Sequence, residues 1–289
     1  MRTSANPAFA MVLVLFVLAV VTTTLAVAAR QCIRTQASAA ERSRLVQARW
    51  AHRSCQLLLP RAEHLLRRQE ERNGKPVSRL ESLVSLGDQR CLVIVADEQA
   101  KVNVNWLASK SSESLEARIA SLSGVDAGQQ VVRLCPLEDS RQPSFPAYGC
   151  FEQLFPEADA RELLGSAEEP GPAADLTCWG DERMNAKRAS VTALACACDL
   201  ILRRPETNRL VRFKHQHPEA DTAALVTAAQ APSERSDSLR KLLADSSACY
   251  SVWVVPASEG AASLAVREEP RQNVQRTGAR PPRTFHFHW

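Results

Sequence analysis

Phe9 to Ala29 reads FAMVLVLFVLAVVTTTLAVAA, 21 residues without a formal charge. A helix rises about 1.5 Å per residue, so the run reaches about 31 Å, the thickness of a bilayer's hydrocarbon core. Secretory signal peptides also place an apolar run near an N-terminus, but theirs spans about 7–15 residues and ends at small residues where it is cut. Val27-Ala28-Ala29 would serve as such a site. The length favours a retained anchor, and the residues after Arg30 favour it too. Leu45, Ala48, His52, Cys55, Leu59, Ala62 and Leu66 recur at alternating steps of three and four, one stripe of a continuing helix. The spacing predicts one long N-terminal helix, half in lipid and half outside it.

Composition bounds the remainder. With 289 residues, 45% apolar and 24% charged, the part beyond the anchor is long enough for one or two domains with their own cores. The net charge of +4 is mild and both signs are interspersed, so no nucleic-acid footprint stands out. Nine cysteines without a C-x2-C pair point to an oxidising compartment rather than to zinc. One count opposes this. Only Arg2 precedes the span, whereas Arg30, Arg34, Arg42, Arg44, Arg49 and Arg53 come after it, and the positive-inside rule alone would put that region in the cytoplasm.

After the anchor, Pro60 must kink or end the helix near Leu59, because proline lacks an amide proton and clashes with the preceding turn. Asn73-Gly74 and Pro76 stop a second helical piece. Cys91 to Ala96, CLVIVA, lies between Gly87-Asp88 and Asp97-Glu98 and reads as a buried strand. In Asp97 to Asn105, Val102 and Val104 alternate with Asn103 and Asn105, so a strand would separate valines from amides. Asn105 is placed to cap a helix starting at Trp106. Leu115, Ile119 and Leu122, and then Phe151 to Leu164, show helical spacing, whereas Cys135 to Cys150 holds three prolines and reads as a loop. Glu168 to Pro172 is a linker. Trp179 to Ser190 then repeats the order basic, apolar, asparagine, apolar of Lys101 to Val104. Ser190 is placed to cap a helix from Val191 to Arg204, ended by Pro205. CYSVWVVP from Cys249 and SLAVR from Ser263 read as a hairpin, and residues 270–289 as a flexible tail.

The short leader Met1 to Ala8, the phenylalanine that opens the apolar run, and the amphipathic stalk resemble type IV pilin and pseudopilin precursors. In those a dedicated prepilin peptidase cuts before the phenylalanine, here between Ala8 and Phe9, and the new N-terminus is methylated. Ala8 stands where glycine is usual. Leu13 stands at the fifth mature position, where glutamate is usual, and its absence points to the general secretion pathway protein K family of type II secretion minor pseudopilins. Asp97, Glu98, Lys101, Asn103 and Asn105 resemble that family's D-E-x-G-K-x-N-x-N stretch, with Ala100 at the glycine. Trp179, Gly180, Asn185 and Ser190 resemble its N-x-N-x-A-S exit segment, with Lys187 at the second asparagine. The strands after Cys249 resemble the closing strands of pseudopilins.

The resemblance implies an α+β pseudopilin fold: a long transmembrane and stalk helix on a small antiparallel sheet, with a large helical insertion. Its segments are a leader 1–8, transmembrane helix 9–29, stalk and connection 30–88, strand region 89–105, insertion 106–178, second motif, helix and closing hairpin 179–269, and tail 270–289. It implies a single-pass inner-membrane protein with its C-terminal region in the periplasm. It also implies a structural role, not an enzymatic one, at the pseudopilus tip, with minor pseudopilins, the major pseudopilin and the peptidase as partners and no nucleic acid. The family's calcium sites draw on acidic loop residues, of which Glu138 and Asp139 remain adjacent here; no other cofactor is expected.

Residue chemistry agrees with a structural role. The sequence holds no G-x-S-x-G, H-E-x-x-H or P-loop. His215 and His217, and His286 and His288 near the end, are spaced to ligate a metal, but both pairs read better as polar segments, the second as a docking tail. Cys196 and Cys198 point to different faces of a helix and cannot pair together. Cys135 and Cys150 bracket the proline-rich loop and are the expected disulfide, worth about 3 kcal/mol in the chain-entropy model. A periplasmic enzyme or adaptor with an unrecognised site, and a helix-hairpin-helix DNA-binding module, are the alternative classes. The module normally needs a glycine hairpin facing phosphate, and none lies between Leu194 and Pro205. Processing gives a direct test: N-terminal sequencing of membrane-purified protein should read Phe9-Ala10-Met11, and an intact Met1 or a start at Gln31 rejects the cut.

Overall fold

The computed structural model describes residues 7–87, 89–110, 118–119, 122, 148–156, 158–165, 169–256, 262–269 and 282–288. The chain divides into two compact units, Met1–Ala51 and His52–Trp289. Residues 7–51 of helix α1, Pro7–Gln56, make up the described part of the first. From Met11 to Val27 its large apolar side chains are exposed, and the helix is long and apolar enough to cross a membrane. Thr22, Thr23 and Thr24 lie inside this run, where a bare hydroxyl would be costly. Each donates back to a carbonyl three or four residues earlier, at 2.9–3.0 Å.

In the second unit the helical stripe continues as Cys55, Leu59, Ala62 and Leu66, all buried. The break falls where proline demands it: α1 ends at Gln56, Leu59–Arg61 is a 3-10 turn containing Pro60, and α2 runs Ala62–Asn73. Gly74, at φ 66°, closes α2 with its N–H on the Glu70 carbonyl, a left-handed cap that suits glycine.

The sheet is antiparallel and has five strands in the order β1-β2-β7-β8-β9: β1 Arg79–Leu86, β2 Gln89–Asp97, β7 Cys249–Pro256, β8 Ser263–Glu268 and β9 Arg283–His288. All eight residues of β7 are buried, as a central strand covered on both faces must be. Its Trp253 faces Ile94 on one side and Leu264 on the other, all three inaccessible to solvent. Two short parallel pairs lie outside the sheet: β3 Val102–Asn103 with β4 Leu176–Thr177, and β5 Met184–Asn185 with β6 Leu243–Ala244. Helices α3 Val104–Lys110, α4 Ala160–Leu164, α5 Val191–Cys198, α6 Arg204–Gln216, α7 Thr222–Ala229 and α8 Ser233–Leu242 follow in chain order. One core runs from the sheet (Ile94, Trp253, Leu264) through the insertion (Phe151, Leu154, Leu163) to the later helices (Leu194, Leu210, Leu225).

The architecture is thus the α+β one expected, and its departures from the sequence reading each have a cause. The stretch assigned to stalk and connection contains β1. Its SLVSL end is poorly buried, with Leu83 64% exposed, so it lacks the clean alternation that marks a strand. The end of the expected flexible tail is β9, an edge strand held by pairing with β8 and by Phe287 against Trp179, ring centroids 5.4 Å apart. The helix expected from Val191 to Arg204 stops at Cys198. Pro205 instead opens α6, where its missing N–H is one the helix would leave unused anyway. Phe151–Leu164 is a 3-10 turn at Phe151–Gln153 followed by the short α4, which Asp159 and Glu162 start with a reciprocal capping box.

Burial separates two leucine-type positions on neighbouring strands. Ile94→Ala should cost about 2–5 kcal/mol in denaturant unfolding, whereas Leu83→Ala on the exposed edge should change stability by about 0.5 kcal/mol or less.

Candidate functional site

The two asparagine motifs meet at the end of β2. Each asparagine ends a two-residue parallel strand, and each folds its side-chain oxygen onto the next turn. Asn103 Oδ1 accepts from the N–H of Asn105 at 2.8 Å and of Trp106 at 3.2 Å; Asn185 Oδ1 accepts from Lys187 at 3.1 Å and Arg188 at 3.4 Å. Asn103, not Asn105, therefore caps α3, because Val104 already belongs to the helix. Asn105 is freed to act across the chain. Its Nδ2 donates to the carbonyls of Tyr148 and Cys178 at 3.1 and 3.0 Å, and its Oδ1 accepts the Tyr148 N–H at 2.7 Å. The insertion's last residue, Cys178, and an interior one, Tyr148, are thereby bound to one amide.

Around these loops lies a buried polar joint. Asp97, inaccessible to solvent, accepts from the Gln99 N–H at 3.0 Å, Ser247 Oγ at 2.6 Å, Asn185 Nδ2 at 3.1 Å and Arg188 Nη1 at 3.2 Å. Arg188 also grips Glu70 on α2 with Nε at 2.7 Å and Nη2 at 3.0 Å, a bidentate pair. Burial pushes the Asp97 carboxyl up from its ordinary value, against the pull of Ser247, Arg188 and Asn185. Burial also raises Glu70, but Arg188, the Val77 N–H and Lys187 outweigh it and hold that carboxyl below the ordinary range. Burial pulls Arg188 down, and the two carboxylates more than restore it.

Next along the chain, Glu98 Oε1 receives Lys101 Nζ at 2.7 Å and Ser251 Oγ at 2.5 Å, all three side chains buried. Gly180 sits at φ 85°, and a Cβ there would come 3.3 Å from that of Cys249, so the turn needs glycine in both conformation and space. Its N–H donates to Glu268 Oε1 at 2.9 Å. Trp179 donates to the Gly149 carbonyl at 2.9 Å and meets Phe151 edge-on. Ser190 caps α5 through the Ala193 N–H at 2.9 Å and donates to Asp175 at 2.6 Å. Lys214, 3% exposed, directs its ammonium at the carbonyls of Ala186, Lys187 and Pro218, and burial pushes it down to about 8.

Ala100 causes no strain in the first loop, because Glu98–Ala100 is a 3-10 turn and Gln230 is the only non-glycine with positive φ among the described residues. All nine motif residues thus gather at one joint. Sequence reasoning missed Glu70, Ser247, Ser251 and Arg188. Only Arg188 carried a signal, as the basic residue that directly follows the second loop.

A cavity of about 450 Å³ opens beside the joint, lined by Arg67, Lys75, Lys187 and Arg188 and by Glu63, Glu70, Glu219 and Asp245, with Tyr250 at its wall. Both charge signs are equally represented, so no net field selects an ion. Among the described residues no group of three or more histidine, cysteine or acidic side chains is placed to hold a metal. Glu138, Asp139 and Cys135 lie outside the described residues, while Cys150 is half-buried. Ala8 and Phe9 fall in the first turns of α1.

No described protein family and no curated protein matches the sequence. Among solved structures, a chain of the GspK-GspI-GspJ complex from the enterotoxigenic Escherichia coli type 2 secretion system is similar at 13% identity and a TM-score of 0.47. The match covers 86% of this chain and 98% of that one, and a likeness of this degree carries no functional weight.

The joint makes two predictions. Arg188→Met should cost about 3–5 kcal/mol, read from the urea midpoint at constant slope, because it strands buried Asp97; adding Asp97→Asn should recover part of the loss. Glu70 has a depressed folded pKa, so its contribution is present above the ordinary carboxylate value of about 4.3 and is lost as pH falls through the folded value. Asp97, with its raised pKa, acts with the opposite sign. The stability difference between wild-type and Glu70→Gln should therefore shrink as the pH falls through that window, and a difference independent of pH rejects the assignment.

Proposed function

We propose that this chain is a structural minor pseudopilin of a type II secretion system. It is anchored in the inner membrane by α1, exposes its C-terminal unit to the periplasm, and caps the pseudopilus tip. The observation that carries the reading is the use to which the two asparagine motifs are put. Most of their polar groups are spent on one another, on backbone and on helix caps, so the motif residues build a buried joint. The leader, the apolar run from Phe9 and the order of the motifs support the same reading by resemblance.

The tip position follows from Leu13. In pseudopilin filaments, as the resemblance implies, a glutamate at this place neutralises the amino terminus of an adjoining subunit, and a carboxylate in lipid is tolerable only when so paired. A subunit with leucine there gives up that pairing and is suited to the end of the filament. The bulk carried between Asn105 and Asn185 would likewise clash inside a helical array. The partners are other minor pseudopilins and the major pseudopilin, and the prepilin peptidase processes the chain between Ala8 and Phe9.

Pull-down from detergent extract should recover a small stoichiometric complex with two minor pseudopilins, and labelled protein should mark filament ends. Decoration along whole filaments, or indifference to the minor pseudopilins, rejects the cap.

A further inference from the structure

Two segments far apart in sequence, 148–151 and 178–179, run side by side and are pinned on both sides of two cysteines. Asn105 Nδ2 bonds the carbonyls of Tyr148 and Cys178 at once, at 3.1 and 3.0 Å. One residue on, Trp179 Nε1 holds the Gly149 carbonyl at 2.9 Å, and the Phe151 and Trp179 rings meet with centroids 5.2 Å apart at 84°. Cys150 and Cys178 sit within this clamp, the first half-buried and the second 1% exposed. Burial first, and then the neighbouring Cys150, raise the Cys178 thiol well above its ordinary value. The third cysteine nearby, Cys249, begins β7 and faces Gly180 instead.

We propose that Cys150 and Cys178 are a disulfide-forming pair that fastens the interior of the insertion to its last residue, next to the Trp179 loop. The half-exposed Cys150 reacts first. Its thiolate attacks a sulfur of a disulfide oxidant such as oxidised glutathione, breaking the oxidant's S–S bond, and the departing thiolate takes up the proton Cys150 lost. Cys178, as thiolate, then attacks the Cys150 sulfur and displaces the second glutathione, which takes the Cys178 proton. Two protein thiols are oxidised to one disulfide, and one disulfide is reduced to two thiols. The bond closes a loop of roughly thirty residues, removing conformations from the unfolded chain while the hydrogen bonds already hold the folded geometry. It excludes the Cys135–Cys150 pairing expected from spacing, since Cys150 forms one bond.

The test uses the detergent-purified full chain with oxidised glutathione added, so it is independent of where the unit resides in the cell. After denaturation in an alkylating agent, unreduced peptide mapping should give a peptide joining Cys150 to Cys178. Cys178→Ser should leave Cys150 as its glutathione mixed disulfide, and Cys150→Ser should leave Cys178 unmodified. Wild-type mapping stands even if a variant does not fold. Recovery of Cys150 joined to Cys135 or Cys249, or of both thiols alkylated, overturns the pair.

Discussion

Arg188 joins three parts of the second unit through one buried guanidinium. Two of its nitrogens hold Glu70 on the last turns of α2, and the third holds Asp97 at the end of β2. A carboxylate as buried as Asp97 is tolerable only with its charge and lone pairs answered, and these answers come from four residues lying up to 150 positions away from it. The closing of α2, the exit of β2, the second asparagine loop and the approach to β7 are therefore conditions on one another. A chain that places three of them correctly and misplaces the fourth buries an unpaired charge.

The two loops also show how one local device serves two purposes. In each, a short parallel pair delivers an asparagine whose oxygen holds the next turn, and the side-chain nitrogen is left to reach across the fold. The first loop spends its reach on the Trp179 loop, where Asn103 Nδ2 donates to the carbonyls of Trp179 and Gly180. The second spends it on Asp97 and Ser247, through Asn185 Nδ2, while Arg188 beside it carries the tie to Glu70 on α2. The substitution of Lys187 for the expected second asparagine removes one such reach, and the carbonyls of Ala186 and Lys187 are instead met by the ammonium of Lys214 from α6. A buried ammonium is costly, and three carbonyls around it are what make it tolerable.

Much of the fold was legible because its signals are periodic or conformational. An uncharged run of 21 residues, a helical stripe through Leu66, a proline at Leu59–Arg61, a glycine closing α2 and valine-rich runs at β2 and β7 each act within a few residues. The motif residues were legible as motifs, but their partners were not. β1 and β9 escaped because an edge strand needs no full apolar alternation; each is a strand only because a neighbour supplies its hydrogen bonds. Pro205 was read as a stop and is a start, since the same missing N–H suits both ends of a helix segment and only the packing of α6 decides between them.

By itself, then, the sequence determined the apolar N-terminal helix, its break at Pro60 and the central strands, and it marked the two asparagine motifs, because each depends on side-chain size, charge or backbone freedom within one or two turns of chain. Tertiary structure alone decided that Arg188 answers both Glu70 and Asp97, that Asn103 rather than Asn105 caps α3, and that Cys150 lies across from Cys178. Those outcomes depend on which groups remain unsatisfied once distant segments are buried together. That sum is taken over the whole core, and no local pattern carries it.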